Sequence, residues 1–404
     1  MIIPLASNGL REKDIEAAIE ALKSGNLTMG KRVIEFEDKM RNYLGFDHFV
    51  MTNSGSSGNL LIIEALMRPT SGKPRLKSGD CVLVPAIAWP TTIWPLIQLG
   101  LIPVFVDIDP NTLSLDLKKA QQLIDTSKIT ISGIFIIHPL GLAIEPSKLE
   151  EFSEKNELVL INDVCESLGS WSENRHAGNC GLASSFSFYF SHHITTMEGG
   201  GIGTNDSKIA DDLRSMRSHG WSRDRADVNE WKADISENDS KFLFISTGYN
   251  VRPTEIQAAI GNSQIEQIEF FLEKRRLIAK QVNSALVGTN LSVIGHRFLE
   301  HKEIERNHSW MHIPILVNGD NANVRKKTIV EKLNRLGIET RPVLTGNFVA
   351  QPAIQRITRN AIDPKNYEVA SDISSRAFLI GSHHDLSKAQ VDYVCSIFQS
   401  VENN

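Results

Sequence analysis

The chain has 404 residues, a formal net charge of −5 and 41% hydrophobic against 23% charged residues, with a pI near 6.2. That length favours two domains sharing a cleft, and the acidic balance gives no electrostatic basis for binding nucleic acid or an anionic membrane surface. Met1-Ile2-Ile3-Pro4-Leu5 lacks the basic start of a secretory signal and no apolar segment is long enough to span a bilayer, so a cytoplasmic protein is expected.

In chain order, apolar residues at helical spacing predict helices over Ile15–Lys23 and Val33–Tyr43, with Gly25 and Gly45 as stops. Runs rich in β-branched and aromatic residues follow at Cys81–Ile87, Ile102–Asp107, Gly133–His138, Leu158–Asp163, Ser185–Phe190 and Gly201–Thr204. Helical stretches, among them Gly58–Met67 and Pro146–Lys155, separate several of them. Strands without polar alternation predict an α/β domain with a mostly parallel central sheet covered on both faces. The charged tract from Asp224 to Asp239 predicts a surface excursion.

After Pro253 a single long helix is expected over Thr254–Leu286, bridging to a smaller α+β domain. There the pattern predicts strands near Trp310–Val317, Ile338–Leu344 and Phe378–Ile380. Helices are predicted over Val324–Leu336, near Tyr367–Ser375, and over Leu386–Val401. The expected division is 1–265 for the large domain and 266–404 for the small one. Cys81, Cys165, Cys180 and Cys395 lie far apart, with neither a C-x-x-C pair nor a metal-ligand spacing.

Three features carry chemistry together, although each has a plainer role alone. Asp163 ends a predicted parallel strand, where a carboxylate faces the ligand-binding edge of such a sheet or simply forms a turn. Asn53-Ser54-Gly55-Ser56-Ser57-Gly58 leads into an apolar helix, which suits either an ordinary cap or a phosphate at the helix N-terminus. Trp89, after a strand, suits either the core or a stacked aromatic ligand.

Five segments recur together: Ser24-Gly25-Asn26-Leu27-Thr28-Met29-Gly30, Asn53–Ser57, Asn162-Asp163-Val164-Cys165-Glu166-Ser167, Ser187…His192 with Glu198-Gly199-Gly200, and Gly248-Tyr249-Asn250-Val251-Arg252-Pro253. With them, nearly the whole chain resembles the DegT/DnrJ/EryC1/StrS sugar aminotransferase family. The resemblance implies an aspartate aminotransferase-like, fold type I architecture, a homodimer with shared active sites, and pyridoxal 5'-phosphate or pyridoxamine 5'-phosphate as cofactor. It assigns Asp163 to the pyridine nitrogen, Trp89 to the ring face, Glu166 to the ring hydroxyl, and Gly55, Ser56 and Ser187 to the phosphate. Asn250 would reach the partner's phosphate, and His219 and Arg223 would line the substrate cleft.

His192 stands where such an aminotransferase carries its lysine, and no lysine occurs between Lys155 and Lys208. A primary amine can hold the cofactor covalently; an imidazole cannot, but it can move protons. Histidine at this position resembles the nucleotide-sugar 3-dehydratase branch, which removes the C3 hydroxyl of a 4-keto-6-deoxyhexose. His192-His193-Ile194-Thr195, Arg341–Phe348 and His219–Arg223 resemble it too. Without closely spaced cluster cysteines, the chain resembles the sub-branch acting on GDP-4-keto-6-deoxy-D-mannose, with L-glutamate restoring the amine form of a non-covalently held cofactor. An aminotransferase whose lysine was changed to histidine, or a non-catalytic cofactor or sugar-nucleotide binder, would share most of these motifs. Spacing from Ser187 favours His192 over His193, and the other histidines, including an exposed-looking His383-His384 pair, are expected to be structural.

Overall fold

A computed structural model describes residues 1–400 apart from 8, 71, 173, 234, 300–307 and 360. Its strands run β1 (His48–Thr52), β2 (Cys81–Pro85), β3 (Ile102–Val106), β4 (Ile131–Ile137) and β5 (Val159–Asp163), then a separate hairpin of β6 (Trp171–Ser172) and β7 (Arg175–His176), then β8 (Ala183–Ser187) and β9 (Gly200–Thr204). Apart from the hairpin these form one sheet in the order β1-β9-β8-β5-β4-β2-β3. The pairs from β3 to β8 are parallel, and β9 runs antiparallel to both β1 and β8. The mostly parallel sheet is thus as expected.

Side chains alternate between two apolar layers, as period-two pleating requires. Leu83, Ile134, Ile136 and Leu160 point into the layer holding Leu149 and Phe152 of α6 (Pro146–Lys155) and Ala120 of α5 (Leu117–Thr126). Val82, Val84, Phe135, Ile137 and Ile161 join the opposite layer with α3 (Gly55–Met67), α4 (Pro90–Gln98) and α7 (Ser207–Met216). Burying each large aliphatic side chain contributes about 1.5–3 kcal/mol. Before the sheet come α1 (Glu12–Lys23) and α2 (Lys31–Leu44), the latter closed by Gly45 in the left-handed region.

The expected single helix over 254–286 is two. Helix α9 (Glu255–Ile265) ends before Gln267, and α10 (Ile268–Ala285) begins after it. The halves pack on different partners, α9 against α1 and α2, and α10 against α14 (Lys388–Ser400). Tertiary packing overrides a continuous helical propensity here. The predicted final helix also included Val401, which lies outside the described residues.

A second, antiparallel sheet contains β10 (Leu291–Val293), β11 (His312–Val317), β12 (Thr340–Arg341) and β13 (Ala377–Gly381), ordered β10-β11-β13-β12. Helices α11 (Ala322–Arg335) and α13 (Glu368–Arg376) pack on it, and α12 (Pro352–Ile357) lies between them in sequence. The 224–239 tract carries the short α8 (Val228–Lys232) and is largely exposed, but Arg225 within it is buried and pairs with Asp212 and Asp227 at 2.9 and 2.6 Å. The His383-His384 pair is buried rather than exposed, with His384 stacked on Phe271 at 3.8 Å. Among the described residues, no helix is long and apolar enough to cross a membrane.

His138 and His176 are fully buried, and that burial holds their imidazoles down at about 4 and about 3. Unfolded histidine titrates near 6.5, so below that pH the unfolded chain binds protons that the folded chain does not. Stability from these groups is therefore complete above pH 6.5 and declines as pH falls towards 4, by about 1.4 kcal/mol per pH unit for each. Urea midpoints should drop steadily on the acid side of 6.5; a flat profile there contradicts this reading.

Candidate active site

Parallel strands bring their C-terminal ends to one edge, and β1, parallel to β8 through β9, delivers the N-terminus of α3 to the same edge. Asp163 closes β5 there and is 5% exposed. Its Oδ2 accepts from Asn59 Nδ2 at 2.8 Å and Thr92 Oγ1 at 2.6 Å, and its Oδ1 accepts the Cys165 amide at 3.1 Å. Asn59 is in turn fixed by Ser185, which donates to its Oδ1 at 2.5 Å. Three donors from α3, α4 and the following turn thus set the carboxylate's orientation and leave Oδ1 lone-pair capacity toward the edge. Glu166 accepts the Leu140 amide at 2.9 Å; burial raises its carboxyl above the ordinary range, against the pull of Arg341.

Helix α3 begins against the ends of β8 and β9. The side chain of Ser54 caps the Ser57 amide at 3.1 Å, and Ser57 Oγ donates to Asn53 at 2.7 Å. Among the described residues no protein acceptor takes the Gly55 and Ser56 amides, which sit at the positive end of the helix dipole. A Cβ on Gly55 would lie 2.8 Å from both Cys165 Sγ and Ser187 Cβ, and one on Gly200 would lie 2.3 Å from the Gly55 amide nitrogen. Glycine is therefore required at both positions by close approach. Gly55→Ala should cost about 1–3 kcal/mol of stability through overpacking and lower the affinity for pyridoxal phosphate; unchanged melting and binding would show that the helix is free to shift.

Trp89 is the N-cap residue of α4 and is 51% exposed, so its indole is not the core residue its type allows. Ser187 is half-buried at the end of β8. The loop from Phe188 to Gly199 then turns back into β9, held by the Phe188 amide on Gly199 and the Thr196 amide on Phe188, both 2.9 Å. Phe188 and Ile194 are buried anchors, and His193 is 1% exposed with Nε2 at 3.2 Å from the Ser309 carbonyl. His193 is thereby committed to packing. His192 is only half-buried, edge-on to Tyr189 at 5.9 Å, and its Nδ1 is buried without a partner among the described residues. Nε2 is the nitrogen left to reach the open site. Burial, then the charges of Arg341 and Arg275, push this imidazole down to about 3, so it is a neutral base at physiological pH.

Arg341 opens the Arg341–Phe348 segment noted in the sequence, where no role was assigned to it, and β12 brings it to this group. It is half-buried, its Nε has no partner among the described residues, and its charge acts on both Glu166 and His192. The segment after it closes over β2, with the Phe348 amide on Ala86 and Thr345 Oγ1 on Ala88, both 2.7 Å. The motif marks the segment, but nothing in its spacing says that the guanidinium acts on Glu166 and His192. Asn59 was the legible one, a polar residue opening an otherwise apolar helix.

Three further expected site residues have their contacts with other partners. Asn250 is exposed and bridges Ser218; His219 is exposed with φ +65°; Arg223 stacks on Trp221 at 4.1 Å and pairs with Asp224 at 3.0 Å. Arg223 also lines a hollow of about 460 Å³ between α2 and α7.

The donor set fits the expected cofactor. Free amides at a helix N-terminus suit its phosphate, an oriented carboxylate suits the pyridine nitrogen, and a half-exposed indole suits the ring face. Among the described residues there is no cluster of three or more metal-ligating side chains.

The sequence matches the DegT/DnrJ/EryC1/StrS aminotransferase family over residues 8–399. It is 34% identical, over 95% of both chains, to GDP-4-keto-6-deoxy-D-mannose 3-dehydratase of Yersinia pseudotuberculosis. The fold superposes with a TM-score of 0.88 on the E. coli GDP-4-keto-6-deoxy-D-mannose-3-dehydratase with bound hydrated PLP, at 33% identity, covering 98% of this chain and 100% of that one. A structure of the same enzyme activity with a trapped PLP-glutamate geminal diamine gives 0.87 at 32% identity, covering 98% and 100%.

Proposed function

Because the chain belongs to the DegT/DnrJ/EryC1/StrS aminotransferase family, we propose that it is a PLP/PMP-dependent nucleotide-sugar 3-dehydratase, acting on GDP-4-keto-6-deoxy-D-mannose and recharged by L-glutamate. The observation that carries this is the half-buried imidazole of His192 at the lysine position, beside the Asp163 edge. Similarity to a dehydratase solved with hydrated PLP, and to one with a PLP-glutamate adduct, supports the cofactor and the amino donor.

When bound, the cofactor supplies an amine for the C4 ketone and a ring that accepts electrons while the C3 hydroxyl departs. Asp163 holds the proton on the ring nitrogen. The Gly55 and Ser56 amides with Ser187 receive the phosphate, and Trp89 covers the ring. Glu166, beside Asp163 and with a raised carboxyl, would serve the ring hydroxyl. His192 Nε2 would be the base for a proton on the cofactor's methylene carbon, and the acid that returns one in the glutamate half-reaction. With no lysine between Lys155 and Lys208, no side-chain amine of this loop would compete for the cofactor's carbonyl carbon.

The finer assignments belong to the same proposal. A homodimer would bring the partner's exposed Asn250 to the phosphate, with His219 and Arg223 near the substrate. Exposure of all three supports this. The helix break at Gln267 supports a division at 265/266. Biosynthetic relatives and no membrane-spanning helix among the described residues support a cytoplasmic location.

The test is product analysis with glutamate and a panel of GDP-, CDP- and dTDP-linked 4-keto-6-deoxy sugars. A 3-deoxy-4-keto product with one ammonia released per turnover, fastest with the GDP sugar, is expected. An amino sugar without ammonia would make the protein an aminotransferase, and no turnover would make it a binding protein.

A further inference from the structure

Arg275 of α10 is 2% exposed, and among the described residues it has no carboxylate within ion-pair distance. Its Nη1 donates to the Met311 carbonyl at 2.9 Å and to Ser382 Oγ at 3.5 Å, and its Nη2 donates to the His192 carbonyl at 3.3 Å. The guanidinium therefore ties three segments together: the His192 loop of the large sheet, the entry to β11, and the exit from β13. Ser382 reinforces the same point, donating to the Trp310 carbonyl at 2.6 Å and to that of Met311 at 3.0 Å. Its neighbour His193 rests on the Ser309 carbonyl, so the loop is fastened to one turn twice.

A buried cation with only neutral oxygen acceptors is costly, and its Nε has no acceptor among the described residues. The surroundings do not relieve it. His193, His312, His383 and His384 crowd the site, burial keeps all four neutral, and Asp385 alone contributes a favourable charge from the rim. Packing alone does not demand an arginine there, since an apolar side chain of similar volume would avoid the penalty.

We propose that Arg275 is a positioning residue for His192: its fork fixes the His192 main chain to the small sheet, and its buried cation, offset only by Asp385 at the rim, acts on the same ring. This rests on His192 being the proton carrier. Among the described residues the groups facing that ring are Tyr189 and His193 of its own loop, His312 of β11, Arg341 of β12 and Arg275 of α10. Only the two arginines are permanently charged, and they come from different elements. Removing either one reduces the positive charge acting on the ring, but only Arg275 also holds the loop.

Arg275→Gln keeps amide donors and loses the charge, whereas Arg275→Lys keeps the charge and loses the fork. In each holoenzyme, the His192 ring is followed by histidine-selective NMR, its signal identified by its disappearance in His192→Asn. The pH dependence of glutamate-driven cofactor conversion is measured alongside. The ring titration and the acid limb in R275Q should both move up by roughly one pH unit. In R275K both should stay at the wild-type position while the rate falls about tenfold. A limb and ring titration unmoved in R275Q overturn the proposal; if R275Q does not fold, wild-type rate in R275K overturns it. Full activity in His192→Asn sinks the proton-carrier reading itself, and a His192-dependent limb indifferent to R275Q sinks only the role of Arg275.

Discussion

Replacing His192 with asparagine should leave a folded protein that binds pyridoxal phosphate and has lost both half-reactions by about 10²- to 10⁴-fold, the usual contribution of a positioned acid–base group. The fold should tolerate the change. Nδ1 of the imidazole has no partner among the described residues, and the contact that holds this part of the loop, from Arg275, is to the main-chain carbonyl. An unchanged melting temperature with cofactor-saturable absorbance and no glutamate-driven spectral change is the expected pattern. Retained conversion of either glutamate or the keto sugar would remove His192 from the mechanism.

Asp163→Asn should be nearly as damaging, for a different reason. The carboxylate accepts from Asn59, Thr92 and the Cys165 amide, and has capacity left for a protonated ring nitrogen. Asparagine preserves the shape but brings an amide donor to face one of those donors or the ring. Loss of a charge-assisted bond and of the charge that keeps the ring protonated should lower turnover at least about 100-fold. Weaker cofactor binding should accompany it, measured by equilibrium dialysis. Wild-type turnover in this variant would mean that the ring nitrogen lies elsewhere.

Much of the large sheet was legible because its strands are buried on both faces and therefore lack polar alternation. Strand β1 was missed because its apolar run is only Phe49-Val50-Met51, although Gly45 and Asn53-Ser54-Gly55 bound it, and α4 was missed because Pro90 and Pro95 disguise a helix whose first position suits proline. The boundary between α9 and α10 was illegible, since only their separate partners break the helix. In the site, Asp163, Trp89, Gly55 and His192 announce themselves through strand ends, a small-residue loop and a missing lysine. Arg275 and Arg341 do not. Arg275 looks like one more charge in a helix rich in them, and Arg341 opens a noted motif without a role; only the packing of the small sheet brings both charges to bear on the imidazole.

The central claim is that the coenzyme is held without a covalent bond and served by an imidazole. Borohydride reduction of the loaded enzyme followed by intact-mass measurement addresses it most directly. The account predicts an unmodified chain of 404 residues; a chain heavier by one pyridoxyl-phosphate group, mapped to a lysine, would contradict it.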